Sequence, residues 1–364
     1  MKYIKYFTMV LLVGLFAACS DKDVTYDVTQ ASDANQAYVQ IYNMAPIANT
    51  AANYAYRVDI NGYEYQNDCA AVLQTRNFIP SGGTNLFFTV DAGNLNIKLH
   101  KKETVTYEKD GNGLFYKTYL KETIRVNPGD PVYFVPADNV VKSDGSAAVG
   151  EMIYNGENIV GKVVRDSKLN ALERIVEEPY YEGNTTLEGG KRYHVFIYDL
   201  TKNPIAVEMD PIPAMGETKQ DFDGVEDIIG VGFNSKFYNL LFESEGVPYP
   251  HKLKAYYKNQ ETGVFDVPAG EAFGFGEACK WTTIPMKKGT YNSSGYARMD
   301  YNFHVIDANG NDLGVLTYVK ANGSTAEWSD YWSQYYVGRA YNHFVIGVRD
   351  GSGITMVNQR LVAQ

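Results

Sequence analysis

Hydrophobic and polar residues alternate with a period of two along much of the chain. Tyr38-Val39-Gln40-Ile41-Tyr42 is the first clear run. Successive side chains on a strand point to opposite faces, so this alternation predicts a half-buried strand. Tyr56-Arg57-Val58-Asp59-Ile60 runs into Asn61-Gly62 and then Tyr63-Glu64-Tyr65. Asn-Gly between alternating runs predicts a two-residue hairpin, because both turn positions require positive φ. Similar runs follow at 87–90, 94–99, 114–120 and 124–126, with a second hairpin turn at Asp110-Gly111-Asn112-Gly113. Gly189-Gly190 then feeds a buried strand at Tyr193-His194-Val195-Phe196-Ile197-Tyr198.

Two stretches carry helical spacing instead. In residues 168–178, Leu169, Leu172, Ile175 and Val176 predict one short helix. Near the C-terminus, Ser324 and Glu327 form a capping-box pattern, followed by Trp328, Tyr331, Trp332 and Tyr335 at i, i+3, i+4 and i+7. This second helix has two readings. It plugs the end of a sheet stack, or its aromatic stripe is a platform for the apolar face of a sugar or for a protein partner.

Residues 211–227 hold Pro, Gly and acids with little periodicity and read as a linker. After them the pattern returns. Val231-Gly232-Phe233-Asn234 parallels Val39 to Asn43, and Gly338-Arg339-Ala340-Tyr341 parallels Gly129 to Tyr133 and Gly190 to Tyr193. A steady offset of about 200 residues suggests two related units in tandem. The expected division is 1–18 signal peptide, 19–36 lipidated Cys and tether, 37–210 first β-sandwich, 211–227 linker, and 228–364 second β-sandwich. The expected fold is therefore all-β, with two tandem antiparallel, immunoglobulin-like sandwiches.

Composition agrees with strands. Among 364 residues there are 30 Tyr and 33 Gly. Leu, usually the leading residue, is rarer than Tyr, which disfavours a helical bundle. At the N-terminus, Lys2 and Lys5 precede a short apolar run from Phe7 to Phe16 and the small residues Ala17 and Ala18. This is a secretory signal, too short to span a bilayer. Phe16-Ala17-Ala18-Cys19 resembles a lipobox, although Phe stands where Leu or Val is usual. The resemblance implies a diacylated Cys19, and Ser20-Asp21-Lys22-Asp23 resembles the export tag of Bacteroidota-type surface lipoproteins. The implied location is the outer membrane, lipid-anchored and facing outward.

Formal charge is −10, and losing residues 1–18 removes two Lys and no acid. So acidic a chain argues against nucleic acid as a partner and leaves the acyl chains as its hold on a membrane. The layout also resembles a domain-of-unknown-function family common in such lipoproteins. The shared features are an opening strand ending in a polar turn (Val39 to Asn43), a hairpin Asp59-Ile60-Asn61-Gly62, and a closing Leu187-Glu188-Gly189-Gly190-Lys191-Arg192-Tyr193. The family supplies no catalytic residues.

Signals for chemistry are few. There is no His-Glu-x-x-His and no Gly-x-Ser-x-Gly. His100, His194, His251, His304 and His343 stand singly, which reads as strand histidines. Cys69 and Cys279 read as free, buried thiols. Gly156 to Val163 matches a phosphate loop except that Val163 lacks the hydroxyl that holds magnesium. The acids Asp221, Asp223, Glu226 and Asp227, and the turn Asp307, Asn309 and Asp312, lack a complete calcium loop. No cofactor, metal site or catalytic residue is expected. The sequence points to a non-enzymatic surface lipoprotein that binds a glycan or protein partner, with Trp328, Tyr331, Trp332 and Tyr335 as candidate ligand contacts. The alternative is a structural, adhesin- or fimbria-associated subunit.

Overall fold

The computed structural model describes residues 33–65, 73–80, 86–105, 114–118, 152–155, 158–165, 172–213, 232–286, 296–330, 333–350 and 353–361. Cys19, Cys69, Tyr331, Trp332, the acids at 221–227 and most of the expected linker lie outside these residues. The described chain is almost entirely β, with one three-residue 3-10 turn at Ala51–Asn53.

The first half contributes β1 (Gln36–Asn43), β2 (Arg57–Ile60), β3 (Tyr63–Tyr65), β4 (Asn77–Ile79), β5 (Phe88–Asp91) and β6 (Gly93–His100). These are followed by β7 (Lys102–Val105), β8 (Leu114–Thr118), β9 (Met152–Asn155), β10 (Asn158–Arg165) and β11 (Leu172–Ile175). The set ends with β12 (Tyr181–Leu187), β13 (Arg192–Ile197) and β14 (Ile205–Glu208). An inner sheet, β14-β13-β1-β4 with β5 also on β1, packs on an outer sheet, β12-β6-β2-β3. Between them lie Val39, Ile41, Val58, Leu95, Ile97, Leu99 and Val195, all buried.

The second half opens with β15 (Gly232–Ser244), β16 (Val247–Pro248), β17 (Lys252–Lys258), β18 (Phe265–Pro268) and β19 (Thr282–Pro285). It continues through β20 (Tyr296–Arg298), β21 (Tyr301–Ile306), β22 (Asp312–Val315), β23 (Thr317–Val319) and β24 (Thr325–Glu327). It closes with β25 (Ser329–Asp330), β26 (Gln334–Tyr336), β27 (Ala340–Val348) and β28 (Gly353–Leu361). Its inner sheet is β16-β15-β27-β28 with β19 on β15, and its outer sheet is β18-β17-β21-β22 with β25 on β21. Phe233, Phe237, Leu253, Tyr257, Tyr301, Phe303 and Val345 fill the space between.

Local signals explain the turns. Asn61 (φ 51°) and Gly62 (φ 81°) both take positive φ, and Ile60 faces Tyr63 across the hairpin. Gly190 (φ 78°) and Gly338 (φ 74°) each open a corner closed by a tyrosine three residues on. Glu188 N donates to the Tyr193 hydroxyl at 3.1 Å, and Tyr336 N donates to the Tyr341 hydroxyl at 2.8 Å. Gly190 N reaches back to Gln36 O, and Gly338 N to Gly232 O. The two corners are built alike, with the ring buried and the hydroxyl satisfying a backbone N–H, as in a tyrosine corner. The sequence offset is not steady, however: it is 196 between Gln36 and Gly232 and 148 between Gly190 and Gly338.

Two expected helices are strands. Residues 168–178 place Leu172–Ile175 in β11, antiparallel to β7 with Ile175 opposite Lys102. The described residues of 324–336 hold β24, β25 and β26. Ser324 does not cap a helix; its N and Oγ both donate to Asn322 Oδ1 in a tight turn. Trp328 N donates across to Leu316 O at 2.8 Å, while β25 joins β21 and β26 joins β20. Cross-strand bonds and burial of the large rings override the helical spacing.

The central pairs also depart from a purely antiparallel layout. β1 runs parallel to β13, with Val39 opposite Tyr193, and β15 runs parallel to β27, with Phe237 opposite His343. These four strands are buried on both faces, as parallel strands usually are. On β1, Val39 and Ile41 point into the first core, whereas Tyr42 joins Phe196, Tyr238, Leu240, Phe344 and Ile346 in a third core. The inner sheets therefore stack on each other, giving four layers in the order outer, inner, inner, outer. Tyr42 lies 5.1 Å from Phe344, ring to ring, and its hydroxyl donates to Gln359 Oε1 at 3.0 Å on β28. Lys236, 2% exposed, carries its ammonium to Asp210 at 2.8 Å.

Candidate functional site

A cavity of about 740 Å³ lies where β28 extends the second inner sheet past its cover. Alternate residues of β28 face it. Ile354, Met356, Asn358 and Arg360 stand opposite Gly347, Val345, His343 and Tyr341 on β27. The facing wall is the 328–336 segment: Trp328, Asp330, Ser333, Gln334, Tyr335 and Tyr336. One end is thus apolar, the middle is rich in hydrogen-bonding groups, and the Arg360 guanidinium sits 5.2 Å from the centre of the Tyr336 ring.

A polar chain runs from the cavity into the core. Ser333 Oγ donates to Asp330 Oδ2 at 2.6 Å and accepts from Asn358 Nδ2 at 2.8 Å. Asn358 Oδ1 accepts from His343 Nδ1 at 2.6 Å. That leaves Nε2 as the ring's acceptor, 3.3 Å from the Tyr257 hydroxyl, which also lies 3.2 Å from the Tyr335 hydroxyl. Ser235 Oγ closes the chain 3.0 Å from Tyr257. Burial pulls His343 down to about 4, so its imidazole is neutral near pH 7. The phenols of Tyr257 and Tyr335 are raised by burial. None of these groups is poised to ionise at neutral pH, and the chain's role is to fix Asn358 and Ser333 in place.

Trp328 and Tyr335 are the two described members of the aromatic set, and both are buried. Trp328, 9% exposed, stacks on Phe303 at 5.1 Å, and Tyr335, 1% exposed, stacks on Phe233 at 4.2 Å. Both are core residues whose edges close the wall of the cavity, rather than a stripe open to solvent. The sequence did not single out Asp330, Ser333, Tyr336, Asn358 or Arg360. The available signal was the polar run Asn358-Gln359-Arg360 in a closing strand, which resembles many solvated strands.

The other candidates resolve into structural roles. His100 sits in a buried cluster, with Nε2 3.1 Å from Asp59 Oδ2 and Nδ1 3.0 Å from Val176 O, while Arg57 pairs with Glu177 at 3.0 Å. His304 contacts Asp312 at 2.7 Å, and His251 lies beside Tyr249. His194 is enclosed by Tyr42, Phe196, Tyr238 and Phe344. Cys279 is a free, buried thiol that burial pushes up to about 12, too high for a nucleophile. The Asp307 carboxylate accepts from Asn309 N and Asn311 N at 2.8 Å, so it is spent closing its own turn. Among the described residues no group of His, Cys, Asp and Glu has the arrangement of a metal site. Residues 158–163, the described part of the phosphate-loop match, lie in strand β10, which pairs with β8.

No protein-family model and no curated protein matches the chain. It is similar to a solved structure of a "putative cell adhesion protein" from Bacteroides uniformis, at 9% identity over 89% of this chain and 98% of that one, with TM-score 0.19. A second, a "putative cell adhesion protein" from Bacteroides ovatus, gives 11% identity over 90% and 98%, with TM-score 0.17. The BcpA major pilin subunit of Bacillus cereus gives 11% over 86% and 99%, with TM-score 0.16.

Proposed function

We propose that the protein is a non-enzymatic binding module, held on the outer membrane by a lipidated Cys19, that captures a glycan in the cavity between β28 and the 328–336 segment. The carrying observation is the lining of that cavity. Aromatic and aliphatic edges (Trp328, Tyr336, Met356) face the C–H surfaces of a sugar ring, and Asn358, Ser333 and Asp330 offer fixed donors and acceptors to its hydroxyls. The buried chain behind Asn358 lowers the ordering cost of binding, because that side chain is already held. Tyr331 and Trp332 remain candidate contacts on the same segment.

A glycan array tests this reading. Wild-type protein should give a defined set of hits, and Tyr336→Ala and Arg360→Ala should each weaken them about tenfold or more while melting near the wild-type temperature. Hits unchanged in both variants would remove this cavity from consideration. Concentration-dependent assembly with no hits would favour the structural, fimbria-associated alternative.

A further inference from the structure

The solvent face of the second outer sheet carries a charge pattern at odds with the acidic chain. On β17, Leu253, Ala255 and Tyr257 point into the core. The alternate positions are Lys252, Lys254, Tyr256 and Lys258, so this face of the strand is three lysines around one tyrosine. His304 on β21 stands opposite Lys254, with its ring 4.8 Å from that of Tyr256. The Lys254 ammonium lies 5.2 Å from the Tyr256 ring centre, and the Lys258 ammonium 5.8 Å from that of Phe265 on β18.

Two acids lie beside the row and are shared with other partners. Asp312 takes His304 at 2.7 Å and Gly314 N at 2.8 Å, and Asp300 lies 3.5 Å from Arg298 and 3.9 Å from Lys258. Among the described residues, Lys252 and Lys254 form no ion pair. The first outer sheet provides an internal contrast. Its solvent face has one lysine, Lys98, paired to Glu182 at 3.3 Å, within a row of Asn94, Asn96 and Asn184 that bond one another. The one lysine of that face is paired, whereas Lys252 and Lys254 of the second face are not, among the described residues.

We propose that the Lys252–Lys254–Tyr256–Lys258 face is a second binding surface, for a carboxylate- or sulfate-bearing polysaccharide. Lysines at alternate strand positions are about 7 Å apart, which gives an extended row of cations suited to a linear polyanion. Tyr256 in the middle of the row supplies a stacking surface for a sugar ring. A protein partner would want a larger apolar centre than this face offers. The surface is separate from the cavity, so the two readings stand or fall independently.

Affinity electrophoresis of the full chain through gels containing polygalacturonate, heparin or dextran tests the proposal, with poly-glutamate as a soluble competitor. Wild-type protein should be retarded by at least one of the two acidic polysaccharides and not by dextran, and added salt should weaken the effect. The double variant Lys252→Glu/Lys254→Glu should bind about tenfold more weakly, and Lys202→Glu, which reverses an exposed lysine in the first half of the chain, should bind as wild type. Circular dichroism should show both variants folded. Lys252→Ala/Lys254→Ala, without charge reversal, should show a smaller loss. Equal retardation of wild type and the double variant would overturn the proposal. So would equal retardation by dextran, or poly-glutamate competing as well as polygalacturonate does.

Discussion

Phe344→Ala should destabilise the protein by about 3–5 kcal/mol and split its thermal unfolding into two transitions. Phe344 is fully buried on β27, within 6.3 Å, ring to ring, of Tyr42, His194, Phe196 and Tyr238. Tyr42, His194 and Phe196 belong to the first half of the chain and Tyr238 to the second. Truncation removes the aromatic contacts that join the inner sheets and leaves a void that rigid strands on both sides cannot close. Each half keeps its own core, so the halves should then melt separately. Calorimetry decides the matter. A single transition with unchanged midpoint would show that the stacked sheets contribute little to stability.

The second large effect is acid sensitivity. His194 is wholly buried, and neither ring nitrogen has a hydrogen-bond partner among the described residues. Desolvation, with the Lys236 charge adding to it, pulls His194 down to about 3. His343 is pulled down to about 4. Both folded values lie below the ordinary histidine value of about 6.5, so the unfolded chain takes up these protons first. Their contribution is complete above pH 6.5 and declines as pH falls toward 4 and then 3. Each histidine should cost about 2 kcal/mol between pH 7 and pH 5, a range above the titration of ordinary carboxylates. Urea denaturation at the two pH values measures the loss, and His194→Leu should remove about half of it. A variant as acid-sensitive as wild type would show that the interface tolerates an imidazolium.

The strand content, the Asn61-Gly62 hairpin and the two Gly-x-x-Tyr corners were legible because each rests on local chemistry: positive φ at two turn residues, and a phenol that satisfies a nearby N–H. What pairs with what was not legible. Val39 meets Tyr193 from far along the chain, and nothing in either run encodes a parallel register. The inner-sheet stack left a fainter sign. Tyr42, Phe196, Tyr238 and Phe344 are large apolar residues on the parity that a half-buried strand would leave polar. The 324–336 segment misled because positions 328 and 335 share a helical face and also face one core. The cavity was hidden for a related reason. Asn358 gains its meaning from His343, its neighbour only through the β27–β28 register.

The central claim, that the open flank of the second sandwich receives a sugar, is tested most directly by crystallography of the protein soaked with its strongest array hit. A sugar ring should lie between Tyr336 and Met356, with hydroxyls on Asn358 and Ser333. Density for the glycan elsewhere on the molecule, with this cavity holding only solvent, would contradict it.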